Sequence, residues 1–290
     1  MTTGNALLAA LVAVNLVFVA EWVRAGGNRR GDRSPSPADT LIGFVTAFFD
    51  TLGIGSFAPT TAIFKLRGAP ADELIPGTLN IGLNAAAFTE TVIFISAVRV
   101  QPALLAGMIV AAAAGAWLGA GIVAALPRRA IQMCMGIALL VAGTVFTATN
   151  LGLLPAGGLA MGLAGWKFGL AVTVNFGLGA LMSVGIGLYA PCMIMLALLG
   201  LNPLGAFPIM MGSCGLLQPV AGLRFLRAGF FDWRAALGLT CGGVFGVLLA
   251  AFVVKSLPLT ALRWLVVVVV LYAALSMLHA ARGRPAGAPA

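Results

Sequence analysis

The chain has 290 residues, 61% of them hydrophobic and 9% charged, with a formal net charge of +9 and a mean hydropathy of +1.06. Soluble globular chains carry about a quarter charged residues, so a water-soluble fold is excluded and an all-α polytopic membrane protein is expected. The positive charge lies between apolar segments, as the positive-inside rule requires. No basic stripe interleaved with aromatics is present, so nucleic acid is excluded as a partner.

In chain order, residues 5–23 are a first apolar segment. It lacks a basic leader, and Arg24, Arg29, Arg30 and Arg33 come after it. That is the pattern of an uncleaved anchor in an inner (plasma) membrane with its N-terminus outside. Residues 24–39 are too rich in Gly, Pro and Arg to continue the helix, and Asp39 can cap the next one. Residues 1–39 therefore read as an anchor plus cytoplasmic linker. Apolar segments at 40–66, 77–98, 102–125 and 130–152 form a first unit, 40–152. Residues 153–169 are a Gly-rich connection holding Lys167. A second unit, 170–280, has apolar segments at 170–199, 205–224, 234–254 and 260–280. Residues 281–290 are a polar cytoplasmic tail.

The two units are related. Gly53-Ile54-Gly55-Ser56-Phe57-Ala58-Pro59 reads against Gly185-Ile186-Gly187-Leu188-Tyr189-Ala190-Pro191 with five of seven positions identical, at an offset of 132. The same offset pairs Phe44 with Phe176, Gly68 with Gly200 and Pro76 with Pro208. Leu126-Pro127 and Leu257-Pro258 precede the last segment of each unit. The small-residue pairs Gly115/Gly119 and Gly242/Gly246 come before them.

Two topologies compete. If 40–66 and 170–199 are full spans, the chain crosses nine times and the repeats are parallel. If each is a re-entrant hairpin broken at Gly-Ile-Gly, the chain crosses seven times. Each repeat is then a broken hairpin plus three transmembrane helices, with one extra N-terminal helix, and the repeats are inverted. With nine spans, 11 of the 17 Lys and Arg residues face the cytoplasm. With hairpins, Lys65, Arg67, Arg128 and Arg129 move inside while Arg99 and Lys167 move outside, and 13 of 17 face the cytoplasm. The charge bias favours hairpins, as does the frequency of inverted repeats in secondary transporters.

The Gly-Ile-Gly…Ala-Pro elements are the first site candidates. Gly53, Gly55, Gly185 and Gly187 can break a helix at mid-membrane, and Pro59 and Pro191 suit the first turn of a helix that restarts. A half-helix beginning there aims free N–H groups and a positive dipole end at the site. Two of them make an anion site without buried Lys or Arg. Ser56, Phe57, Thr60, Thr61, Tyr189 and Cys192 stand where they can complete or shape it. The competing reading is that the glycines only permit close packing. Asp50 and Glu90 lie deep in apolar segments, where a charge is expensive; such acids line cavities or bind protons, and both are proton-coupling candidates. Asn80 and Asn84 share a helix face. Their counterparts in the second unit are Ser213, Cys214 and Gln218. These polar faces either line the pathway or hold helices together.

No catalytic constellation is present. The cysteines Cys134, Cys192, Cys214 and Cys241 show no metal or disulfide spacing, and the single histidine is His279. No metal, cofactor or enzyme activity is expected. Trp22, Trp233 and Trp264 lie near segment ends, as interfacial anchors do, and Trp117 lies between two glycines and packs.

At Gly53-Ile54-Gly55 with Pro59, at Gly185-Ile186-Gly187 with Pro191, and at the two Leu-Pro steps, the chain resembles the sulfite exporter TauE/SafE family of membrane transporters. The resemblance covers about residues 40–280, with the first helix as an addition. The family signature often continues with further glycines, where this chain has Ser56-Phe57 and Leu188-Tyr189. The resemblance implies a small organic or inorganic sulfur anion as substrate. The expectation is a secondary transporter that exports such an anion by alternating access. Its partners are the anion, the lipid bilayer and a coupled proton; homo-oligomerisation is open. The alternative is a non-transporting membrane assembly or sensor subunit.

Overall fold

The computed structural model describes residues 3–27, 34–123, 125–153, 158–183, 185, 187–253 and positions 264, 267, 268, 271, 274, 275, 278 and 279. Arg29, Arg30 and Arg33 of the linker, Ile186, the Leu257-Pro258 step and the tail lie outside the described residues, as does most of the 260–280 segment. Helices are α1 (Thr3–Gly27), α2 (Pro37–Thr51), α3 (Phe57–Arg67), α4 (Ile75–Gly82), α5 (Asn84–Ala97), α6 (Pro102–Val123), α7 (Arg128–Asn150), α8 (Trp166–Met182), α9 (Tyr189–Leu198), α10 (Pro203–Ala228) and α11 (Trp233–Val253). A short 3-10 turn, Asp72–Leu74, leads into α4. Among the described residues six stretches are long and apolar enough to cross a membrane: Ala6–Gly26, Asp72–Ala97, Pro102–Val123, Arg129–Asn150, Pro203–Ala228 and Trp233–Phe252. The protein is a polytopic, all-helical membrane protein.

The four short helices behave differently. At 1.5 Å per residue, α2 is about 22 Å long and α3 about 16 Å, short of the roughly 30 Å hydrocarbon core. They fold back on one another. Ser56 reaches Asp50, Thr60 reaches Thr46 and Arg67 pairs with Asp39. The contacts run from the break to the two far ends in antiparallel order, so α2 and α3 form a helical hairpin with its mouth at Asp39 and Arg67. In the second half, the Lys167 ammonium at the start of α8 donates to the Leu199 carbonyl at the end of α9, at 2.9 Å. The chain just before α8 also pairs with the chain just after α9, through Ala160 and Leu201 and through the Asn202 N–H bond to Ala160 O. α8 and α9 are therefore a second hairpin.

The loops gather at two ends of the bundle. At one end Asp39 meets Arg67, Asp72 accepts from Lys65 and Gln132, and Thr78 accepts from the Asp232 N–H. At the other, Gln101 binds the backbone of Met161 and Leu163, beside the Ala160–Leu201 pairing and Lys167.

The halves interlock through the repeated small residues. α2 packs along α11 and α8 along α6. A Cβ on Gly115 would stand 1.9 Å from Phe176 O, and one on Gly246 would stand 2.2 Å from Phe44 O. Phe44 and Phe176 are the residues paired by the repeat, so one backbone-to-backbone contact is made twice with the halves exchanged. With no water to expel, such close approach is what holds helices together in lipid. α1 adds a stripe of Leu11, Asn15, Phe18 and Trp22, all buried, at the 3- and 4-residue steps of a helix face; Asn15 donates to Gly215 O on α10.

Candidate functional site

Both hairpins break where the repeated heptad lies. Gly53, Gly55 and Gly185 take φ of +83°, +89° and +97°, a region that a side chain makes costly. α3 then starts at Phe57 and α9 at Tyr189, 132 residues later. Neither start is capped by a side chain. Ser56 stands at the cap position of α3, but its hydroxyl donates instead to Asp50 Oδ2 at 2.7 Å. Leu188, at the cap of α9, has no polar group to offer. The first N–H groups of a helix have no partner within it. Two half-helices thus present uncapped N-termini inside the bundle.

The two tips meet. A Cβ on Gly55 would lie 3.9 Å from Tyr189 Cβ. A Cβ on Gly53 would lie 3.2 Å from the Phe207 ring and 3.6 Å from the Met193 methyl. Glu90, fully buried on α5, joins the tips. Tyr189 OH donates to its Oε2 at 2.8 Å, and Thr51 Oγ1 lies 2.8 Å from its Oε1. Among the described residues other than its chain neighbours, nothing lies within 4 Å of a Cβ placed on Gly187.

The remaining sequence-derived candidates divide. Thr61 is buried beside this cluster on α3, with no partner for its hydroxyl. Thr60 is committed to the hairpin through Thr46 at 3.0 Å, and Phe57 and Cys192 are buried in the apolar core. Ser213 accepts from Asn175 of α8 at 3.1 Å, and Asn175 also donates to Met108 O of α6 at 2.7 Å. Ser213 therefore ties helices together. Cys214 contacts Met182 sulfur to sulfur at 3.7 Å. Gln218 is buried on α10 with Oε1 unpartnered.

Asn80 and Asn84 have different partners. α4 ends at Gly82 and α5 starts at Asn84, with Leu83 between them. Asn80 donates to Pro76 O within its own turn, whereas Asn84 donates to Asn15 Oδ1 on α1 at 3.0 Å. Leu83 keeps right-handed helical torsion angles and i→i−4 bonds continue on either side of it, so it is the packing of α1 against α5 that gives Asn84 its partner. Its surroundings are a cavity of about 240 Å³ lined by Val12, Leu16, Val19 and Phe88 among others.

Three contributors escaped the sequence reading. Thr51 sits next to Asp50, and a hydroxyl beside an intramembrane acid was the available signal. Asn175 and Asn15 are amides inside apolar stretches, which in lipid need partners. Trp117 does more than pack: the Arg224 guanidinium lies 4.6 Å from its ring centroid and donates to its carbonyl.

Chemically, the tips offer two half-helix N-termini, hydroxyls and two acids and, among the described residues, no buried lysine or arginine. Backbone N–H groups at a helix start suit an anion; buried acids suit protons.

No curated protein and no solved structure matches the chain. The model of the sulfite exporter TauE/SafE family matches residues 2–146. The match takes in α1 as well as the first hairpin and the three spans after it, so the first helix is not outside the family likeness. With half of its length matched, the chain belongs to the sulfite exporter TauE/SafE family, and it is a membrane transporter and not an enzyme.

Proposed function

We propose that the protein is a secondary transporter that exports a small sulfur oxyanion, such as sulfite or a sulfonate, by alternating access, and that the anion binds between the two hairpin tips. The observation that carries this reading is the pairing of two uncapped half-helix N-termini, at Phe57 and Tyr189, in a buried region without basic side chains. The dipole ends and free N–H groups supply the attraction that a lysine would otherwise supply. Thr61, Ser56 and Tyr189 are the hydroxyls nearest to hand. Asp50 and Glu90 are the candidates for a coupled proton.

In this reading the hairpins are re-entrant and the repeats, 40–152 and 170–280, are inverted. A hairpin returns the chain to the end it entered. Three spans then come next in the first half, an odd number, so the second half starts from the opposite end of the bundle. The contacts of Asp39 with Arg67 and of Lys167 with Leu199 support this. In this reading Lys65, Arg67, Arg129, Arg227 and Arg234 lie at one end, with the Asp72–Gln132 and Thr78–Asp232 contacts, and Arg99 and Lys167 at the other, with the Gln101–Leu163 contact. By the positive-inside rule the first end is cytoplasmic and the protein sits in an inner membrane with Thr3 outside. Flux of labelled sulfite in proteoliposomes tests the transport reading.

A further inference from the structure

Thr51 has one hydroxyl proton and two acceptors within reach: Glu90 Oε1 at 2.8 Å and Ala47 O, one turn back in α2, at 3.0 Å. A hydroxyl donates once and accepts twice, and a carboxyl is an acceptor when ionised and also a donor when protonated. Two arrangements therefore fit the same heavy atoms. With Glu90 ionised, Thr51 donates to Oε1 and Tyr189 to Oε2. With Glu90 protonated at Oε1, the acid donates to Thr51 Oγ1, and Thr51 turns its proton to Ala47 O. Tyr189 still donates to Oε2. Thr51 Oγ1, Tyr189 OH and both Glu90 oxygens keep a partner in both states, so neither state incurs the cost of an unsatisfied group among them.

Asp50 lacks this freedom. Its Oδ2 takes the Ser56 hydroxyl at 2.7 Å. The Ser56 backbone N–H, a donor that cannot turn round, also points at this carboxyl; among the described hydrogen bonds no acceptor stands ready for a proton on Asp50, and Ser56 has no second acceptor to which it could turn its own.

We infer that Glu90, and not Asp50, takes up and releases the proton at this site, with the Thr51 hydroxyl as the rotor that makes both states equally well bonded. Its use in coupling rests on the proposed transport of an anion. The step is a simple protonation: a proton leaves hydronium in the aqueous phase, one O–H bond forms at Oε1, and the Thr51 O–H rotates. The titratable groups facing Glu90 are Asp50 on α2, Tyr189 on α9 and Cys214 on α10. α1, α4 and α11 bring it no charged partner among the described residues. The described ion pairs are Arg24–Glu21, Lys65–Asp72 and Arg67–Asp39, all elsewhere.

The test is infrared difference spectroscopy on the purified full chain through a pH change, with sulfite-linked proton movement in proteoliposomes as the second readout. A protonated-carboxyl band should rise on acidification in the wild type and in Asp50→Asn. It should vanish in Glu90→Gln. In Thr51→Val it should form already at higher pH, because the ionised carboxyl loses a donor that favours it, and Thr51→Ser should restore the wild-type profile. Protons moved per sulfite should fall at least tenfold in Glu90→Gln. A band that survives Glu90→Gln and is lost in Asp50→Asn overturns the inference, and so does a Thr51→Val profile identical to wild type. A wild type that shows the Glu90 band yet moves no sulfite supports proton uptake at Glu90 and contradicts the transport reading instead.

Discussion

Arg67, the last residue of α3, is ion-paired with Asp39 in the first turn of α2. In the proposed topology this pair sets both helix ends on the same side of the membrane, whereas nine full spans would set them on opposite sides. The prediction is topological. In a background with the native cysteines replaced, cysteines introduced at Ser34 and Ala69, both exposed, label from one side with an impermeant maleimide. A cysteine at Gln101 labels from the other side. Opposite-side labelling of 34 and 69 would restore the parallel, nine-span topology.

The exchanged contacts of Gly115 with Phe176 and of Gly246 with Phe44 should be equally intolerant of added volume. A methyl group at either position meets a backbone oxygen, which cannot rotate away. Gly115→Ala and Gly246→Ala should each cost about 1–3 kcal/mol, the usual range for overpacking. Gly177→Ala, also helical but with no atom within 4 Å of the added carbon, should be neutral within about 0.5 kcal/mol. Thermal unfolding in detergent reads all three.

Tyr189 holds the second tip to Glu90 through a single hydroxyl. Tyr189→Phe keeps the ring and removes the donor, leaving a buried carboxylate oxygen short of a partner. Such a loss costs about 1–3 kcal/mol. Transport should slow as well, because the phenol is one of the few donors at the tips. A Tm and a sulfite flux both unchanged in Tyr189→Phe would show that the hydrogen bond holds nothing together.

The N-terminal helix docks through an amide pair, Asn84 to Asn15 and Asn15 to Gly215 O. Asn15→Leu should weaken that docking by about 1 kcal/mol, in line with interhelical hydrogen bonds in membranes. The effect should appear as faster protease cleavage in the 28–36 segment, with little change in sulfite flux, since Asn84 faces α1 and not the tips. A strong loss of flux would place Asn84 on the pathway after all.

The large features were legible because they rest on local chemistry and on repetition. The Gly-Ile-Gly breaks and their prolines state their backbone consequences within seven residues, and the positions of Arg99 and Lys167 are what the proposed topology draws on. Phe44 and Phe176 showed up as equivalent, and so did the glycine pairs. That each packs on the other half was not readable, because alignment reports likeness and not contact. The same limit hid Glu90's partners, since Thr51 and Tyr189 come from different halves. For Asn84 the limit was the same: a helix face read from spacing does not say which helix packs on it, and here it is α1. Asn175 stands opposite Gly43 in the repeat, so symmetry drew no attention to it.

The central claim is that the paired hairpin tips bind and pass a small sulfur oxyanion. Gly187 is the position to probe, since it lies in the break just before α9 and, among the described residues other than its chain neighbours, nothing stands within 4 Å of a Cβ there. Labelled-sulfite flux should be compared between wild-type proteoliposomes and Gly187→Trp proteoliposomes with the same Tm. The account predicts flux in the wild type and at least a tenfold loss in the variant. Equal flux in the two, or no flux of sulfite or any sulfonate through folded wild-type protein, would contradict it.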